Sequence, residues 1–90
     1  MSTDRDWTLT EERLKESLAI WHRDHEPDDA TRERVNNWLL DLPLDPLGMG
    51  AEDPERRGIW HGRVPRTNVG VVYVPDPKTR KIAVALIAPG

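Results

Sequence analysis

The spacing of hydrophobic residues divides the chain into a helical first half and an extended second half. Between residues 10 and 42, apolar side chains recur every three or four positions, which is the spacing of one face of an α-helix. From residue 59 onward they alternate with polar residues or form short runs bounded by turn-forming residues, which is typical of β-strands. The pattern predicts an α+β domain.

The first helix is predicted to begin after Thr10, because two glutamates follow it, as is common at helix N-termini. It is expected to end near His25, ahead of the helix-breaking Pro27. Its buried stripe consists of Leu14, Leu18 and Trp21. Residues 7–9, just before this helix, are extended in character, and the sequence leaves open whether they pair in a sheet.

The second helix is predicted to begin near Ala30, with Asp28 and Asp29 at its cap. Its buried stripe consists of Val35, Trp38, Leu39 and Leu42. Because only a few residues separate the two helices, they are expected to form an antiparallel hairpin. Each helix then contributes one tryptophan to a shared core.

Residues 43–58 are predicted to form a long loop, because prolines and glycines are frequent there and no apolar period persists. Three strands are predicted after this loop. They span residues 59–64, 69–74 and 81–88. Turn-forming residues connect them, so successive hairpins should produce an antiparallel β-meander. The predicted fold is an N-terminal helical hairpin packed on this meander, with residues 7–9 as a candidate fourth strand.

The composition limits the class of protein. Ninety residues provide apolar surface for a single core, so residues 1–90 are predicted to be one domain, with residues 1–6 disordered. There is no cysteine, which excludes disulfides and thiolate metal sites. The chain has no membrane-length apolar run and no signal-peptide pattern at its start, so a cytoplasmic location is expected. No phosphate-binding glycine loop is present, and no cofactor is expected.

Charge is distributed unevenly along the chain. Residues 1–45 hold 12 acids and 6 bases (net −6), whereas residues 46–90 hold 4 acids and 7 bases (net +3). Only the second half is therefore a candidate for facing a polyanion. The acidic helical half also has a simpler explanation, because surface acids keep a small domain soluble.

His61 and Arg63 are the main candidates for chemistry. Two positions apart on a strand, they share one face of the sheet, opposite Trp60 and Val64. Tyr73 on the next strand reaches the same surface if the register agrees. An imidazole, a guanidinium and a phenol together can transfer protons and bind phosphate, as an RNase requires. The alternative is an ordinary solvated strand face.

Further basic residues lie in the connections. Arg66 in the first hairpin, and Arg56 and Arg57 at the end of the predicted loop, are candidates for contacting an RNA backbone. Arginines are also common in loops, so solubility explains them equally well. His22 and His25 lie three residues apart on the first helix, but they lack a third ligand, so no metal site is predicted.

Three short motifs resemble those of the RelE/ParE toxin superfamily. They are residues 42–48 (LPLDPLG), 58–64 (GIWHGRV) and 71–76 (VVYVPD). The first is similar to the family's leucine, Asn/Asp-Pro, glycine segment after the second helix. The other two look like its Gly-x-Trp/Tyr-x-x-Arg-Val strand and its Val-Val-Tyr-x-x-Asp strand. The order of predicted elements over residues 7–87 is similar as well.

This resemblance implies the toxin of a toxin–antitoxin module, namely a ribosome-dependent mRNA endonuclease with a cognate antitoxin as partner. Arg63 matches the family's strand arginine, and Arg66 lies near its basic hairpin position. Family members also carry an arginine ahead of the strand tyrosine, where this chain has residues 69–71 (VGV). After the last strand they have a His-Arg pair or a tyrosine, where this chain has residues 88–90 (APG). The implied activity is therefore weak or degenerate.

ParE-type members, which the resemblance associates with gyrase inhibition, match equally well and need no RNase site. The alternative function is a non-catalytic protein-binding module, either a ParE-like gyrase inhibitor or a relative that has lost toxicity. An extended antitoxin segment would then pack on the apolar sheet surface. The expected targets are the ribosome with mRNA, or gyrase, with no membrane or metal partner. An unrelated function on the same fold stays open, because fold does not determine function.

Overall fold

The computed structural model describes residues 7–89 of the chain. These residues form two α-helices and a five-stranded mixed sheet. The elements are β1 (Thr8–Leu9), α1 (Glu11–His25), α2 (Asp29–Asp41), a short 3₁₀ helix (Leu42–Leu44), β2 (Gly50–Glu52), β3 (Trp60–Arg63), β4 (Val69–Asp76) and β5 (Lys81–Pro89). The disorder predicted for residues 1–6 lies outside the described residues.

Both helices lie close to their predicted positions. Asp28 caps α2, because its Oδ1 atom accepts a hydrogen bond of 2.8 Å from the backbone N–H of Thr31. Thr10 precedes α1 in an extended conformation, but its side chain makes no capping hydrogen bond. Glu26 ends α1 in the left-handed region, with φ of 43°, and so turns the chain toward α2.

The strands lie in the order β1-β5-β4-β3-β2. Strands β3, β4 and β5 form the predicted meander, and Thr8 and Leu9 pair in parallel with β5. The prediction of four strands is one too few, because residues within the predicted loop form β2 and pair with β3. A three-residue strand of sequence Gly-Ala-Glu has no apolar alternation that would reveal it.

The core lies between the helices and one face of the sheet. Trp21 and Trp38 are both buried, as predicted. Helix α1 packs on β5, where the Ser17 hydroxyl donates a 2.8 Å hydrogen bond to the carbonyl oxygen of Val84. Helix α2 reaches β3 through Trp38: a Cβ atom built on Gly62 would lie 2.5 Å from the indole ring. The glycine therefore allows this helix to approach the sheet.

The opposite side of the sheet, called here the open face, carries side chains that no element of residues 7–89 covers. Val72 of β4 pairs with Leu86 of β5 across it, and Leu86 is 49% exposed. A register irregularity at Val72 and Tyr73 leaves Ala85 and Leu86 both exposed in succession. Strand β4 lies at the centre of the sheet, and within residues 7–89 no element covers its open face.

Candidate functional site

His61 and Arg63 both lie on the open face, as their alternation with Gly62 predicts. Gly62, between them, points toward α2, and the two polar side chains are exposed. Pairing of β3 with β4 places His61 opposite Val72 and Arg63 opposite Gly70. An imidazole and a guanidinium therefore stand side by side at the border of an apolar surface.

A shallow concavity of about 360 Å³ adjoins these two residues. Gly70, which pairs with Arg63, lines it and has no side chain to extend into it. Its floor is formed by Val72, Leu86 and Ala88, and His61 and Arg63 form one wall. The site thus combines an apolar floor with two nitrogen-bearing side chains on one side.

Asp53 is the residue of this site that sequence reasoning missed. Its Oδ2 atom lies 2.9 Å from Nε2 of His61, within hydrogen-bond distance. The His61 side chain is 52% exposed, whereas that of Asp53 is 21% exposed. The carboxylate is thus the more protected partner, and it holds an imidazole that is accessible to solvent.

The turn between β2 and β3 holds Asp53 in position. The backbone N–H of Glu55 donates a 2.8 Å hydrogen bond to Oδ1 of Asp53, and the Asp53 N–H donates one of 2.8 Å to the carbonyl oxygen of Ile59. The Glu55 bond, followed by the hydrogen bond with His61, lowers the pKa of Asp53 below its ordinary value. The carboxylate is therefore ionised at neutral pH.

This pair has a defined chemical capacity. An ionised Asp53 favours the His61 tautomer that carries its proton on Nε2, because that N–H can donate to the carboxylate. The other ring nitrogen, Nδ1, has no hydrogen-bond partner among residues 7–89. It is left with a lone pair that can accept a proton from a molecule in the concavity.

Tyr73 does not join this site. It pairs with Trp60 and so lies on the helix-covered face, where it is fully buried. Its hydroxyl donates a 2.6 Å hydrogen bond to the carbonyl oxygen of Pro46. Burial, with a smaller contribution from the charge of Asp45, raises the pKa of Tyr73 to about 12. The interpretation of Tyr73 as a neighbour of His61 is therefore wrong in geometry, because the register places the two on opposite faces.

The structure does not gather the three connecting arginines into one surface. Arg56 and Arg57 lie in the turn that precedes β3, whereas Arg66 lies in the turn that follows it. All three are exposed, but they occupy opposite ends of the strand. Arg66 adopts φ of 66°, and its carbonyl oxygen accepts a 3.4 Å hydrogen bond from Arg34 of α2.

Asp53 escaped sequence reasoning because it lies within the segment predicted as an unstructured loop. Asp53, Pro54 and Glu55 do carry a signal for an aspartate-initiated turn, in which the carboxylate binds the N–H two residues later. That signal predicts the turn alone. Proximity to His61 depends on the pairing of β2 with β3, which places Ala51 opposite His61 and which the sequence did not reveal.

Comparison of the chain with protein-family models, with curated protein sequences and with solved structures finds no significant match. Within residues 7–89, no cluster of three or more histidine, aspartate or glutamate side chains is arranged to hold a metal ion. The two helices of the described region are too short and too polar to cross a membrane.

Proposed function

We propose that the chain is the toxin-like component of a toxin–antitoxin module and that it cleaves RNA at the open face. The observation that carries this proposal is the 2.9 Å contact between His61 and Asp53 beside the concavity that Arg63 borders. A carboxylate that orients an exposed imidazole next to a guanidinium is an arrangement suited to phosphodiester chemistry.

The proposed reaction is transesterification at a phosphodiester. Nδ1 of His61 removes the proton of the ribose 2′-hydroxyl, and the 2′-oxygen attacks the adjacent phosphorus. The bond from phosphorus to the 5′-oxygen breaks, and that oxygen takes up a proton from water or from the imidazolium. The products are a 2′,3′-cyclic phosphate and a 5′-hydroxyl. The guanidinium of Arg63 stabilises the charge that develops on the phosphoryl oxygens.

The resemblance to RelE/ParE toxins supports the toxin context. The order of a short strand, two helices, a proline-rich segment and a meander is the order on which that resemblance rests. Arg63 matches the family's strand arginine. With Tyr73 buried, proton transfer rests on His61, and general acid–base catalysis by one such group contributes ~10²–10⁴-fold in rate. A weak, ribosome-dependent endonuclease is the activity expected.

Expression in a bacterium tests the proposal. The wild-type chain should arrest growth and produce mRNA fragments with 5′-hydroxyl ends. Replacing His61→Gln, alone or with Arg63→Ala, should abolish both effects. His25→Gln is the matched control, because His25 is an exposed histidine at the end of α1 that does not line the concavity. Equal toxicity of the wild type and the His61→Gln variant would exclude His61 as the base.

The exposed apolar floor of the open face favours a second candidate, a non-catalytic protein-binding module. Leu86 of β5 is 49% exposed and pairs with Val72 of β4, so apolar side chains of two adjacent strands lie together on the open face. An antitoxin or a target protein would cover it. Leu86→Asp should then prevent co-purification of the partner, while His61→Gln should leave partner binding and any growth inhibition intact.

A further inference from the structure

A second concavity lies on the other side of the sheet from His61. It has a volume of about 270 Å³. Its apolar walls are Trp7, Leu47, Trp60, Pro75 and Pro77, and Glu52 stands at its border. We call it the tryptophan pocket. Its position follows from register, because Trp60 pairs with Tyr73, whose side chain points to the helix-covered face.

The tryptophan pocket is lined by an acid and by no base of the described residues. Within the described part of the chain, Glu52 is the one ionisable residue among those that line it, and no lysine or arginine does so. Glu52 pairs directly with Trp60 across β2 and β3, so the carboxylate and the indole lie on the same face. One Glu52 oxygen, Oε2, accepts a 2.8 Å hydrogen bond from the N–H of Gly58, which holds the carboxylate in position.

The neighbouring surface shows what the indole of Trp7 attracts. The guanidinium carbon of Arg80 lies 5.3 Å from the centre of the Trp7 ring, a cation–π distance. Arg80 lines a separate depression that shares Trp7 and Leu47 with the tryptophan pocket. Trp7 thus lines two depressions. One contains Arg80 together with Asp45, whereas the other contains Glu52 and no cation from residues 7–89.

We propose that the tryptophan pocket binds a methylated ammonium group. Two indole rings provide the π-electron surface that attracts a quaternary ammonium, two prolines add apolar surface, and Glu52 provides the opposite charge. Such a group is carried by small molecules such as choline and by methylated lysine side chains of proteins. This site lies on the opposite face from His61 and does not depend on RNA cleavage.

Titration of the full chain with choline, followed by the indole N–H resonances of Trp7 and Trp60, tests the proposal. The control ligand is 3,3-dimethylbutan-1-ol, which has the same shape without the charge. Choline should bind at least about fivefold more tightly than this control ligand, which is the effect expected for one cation–π contact. Equal, measurable binding of the two ligands would overturn the proposal, and so would the absence of binding by both choline and a peptide that carries trimethyl-lysine.

Two variants separate charge from shape. Glu52→Gln keeps an oxygen that can accept from the N–H of Gly58, and it should reduce the preference for choline over the neutral ligand, while the contribution of the two indoles remains. Glu55→Gln is the matched control, because Glu55 is an exposed acid in the turn that follows β2 and does not line the pocket. An unchanged affinity in Glu52→Gln would contradict the assigned role of the carboxylate.

A further titration distinguishes the two sources of the ligand. It compares choline with a short peptide that carries trimethyl-lysine and with the same peptide carrying unmodified lysine. Tighter binding of the trimethylated peptide than of choline assigns the pocket to a protein partner. Tighter binding of choline assigns it to a small molecule. Recognition of a methylated ammonium group would be contradicted by two results together: equal binding of the methylated and unmodified peptides, and no preference for choline over its neutral analogue.

Discussion

The hydroxyl of Tyr73 donates a 2.6 Å hydrogen bond to the carbonyl oxygen of Pro46, which ties the segment after α2 to the centre of the sheet. The phenol ring packs between Trp38 and Trp60, with ring centroids 6.1 and 6.4 Å away. A Cβ atom on Gly50 would lie 2.3 Å from the hydroxyl oxygen, so a glycine is needed there for the tyrosine to reach Pro46. Tyr73 is a structural residue of the core.

Replacing Tyr73→Phe should lower the free energy of unfolding by ~1–3 kcal/mol, because the ring packing stays while the buried carbonyl of Pro46 loses its partner. Urea unfolding followed by tryptophan fluorescence measures the change. A variant as stable as the wild type would show that the hydrogen bond adds nothing to stability.

The pKa of Tyr73 leads to a prediction about alkaline pH. Because the folded-state pKa is raised to about 12, the folded protein retains this proton at pH values where the unfolded chain has lost it. Stability from this group is therefore complete below pH ~10 and declines between pH ~10 and ~12. Tyr73 is the one tyrosine of the chain, so phenolate absorbance titrates it alone. A midpoint near 10 in the folded protein would contradict its burial.

Gly62 and Gly70 provide a matched pair for the contact between α2 and β3. Gly62→Ala should destabilise the fold by ~1–3 kcal/mol, because the new methyl group meets the Trp38 ring. Gly70→Ala should be tolerated, since the nearest atom to a Cβ there is 3.7 Å away. Thermal unfolding of both variants measures the difference, and equal melting temperatures would refute the close approach of the helix.

The hydrogen bond between Asp53 and His61 can be tested through the carboxylate. His61→Ala should raise the pKa of Asp53 toward its ordinary value, though not fully, because the larger effect of the Glu55 N–H remains. Carboxyl resonances followed by NMR against pH report it directly. Because the pKa of Asp53 is lower in the folded protein, this group stabilises the fold at pH values above the unfolded pKa of ~3.9. The stabilisation is lost as the pH falls through the folded-state pKa. An identical pKa in both proteins would mean that the contact is absent in solution.

Local signals in the sequence were sufficient to predict where the helices lie and to place the two polar residues of β3 on one face. The acid at Asp28 does cap α2, and strict alternation placed His61 and Arg63 on one face. Features that depend on strand pairing were missed. The face occupied by Tyr73 changes with a register shift of one residue, which no local pattern fixes. Asp53 reaches His61 only because β2 forms, and β2 has no apolar period.

The Asx turns at Asp53 and Asp76 allow a controlled test of the catalytic proposal. Each carboxylate accepts a hydrogen bond from the N–H two residues later, of 2.8 Å from Glu55 and 2.9 Å from Lys78. Asparagine preserves this turn and removes the charge, so Asp53→Asn and Asp76→Asn should fold equally well. Of the two, only Asp53 contacts a histidine in the structure of residues 7–89.

The most direct measurement is the initial rate of ribosome-dependent mRNA cleavage by the wild type and these two variants at equal concentration. Asp53→Asn should cleave ~10²-fold more slowly, because His61 loses the carboxylate that sets its tautomer, and Asp76→Asn should match the wild type. Equal rates for all three proteins, or no cleavage by the wild type, would contradict a catalytic role for the His61–Asp53 pair.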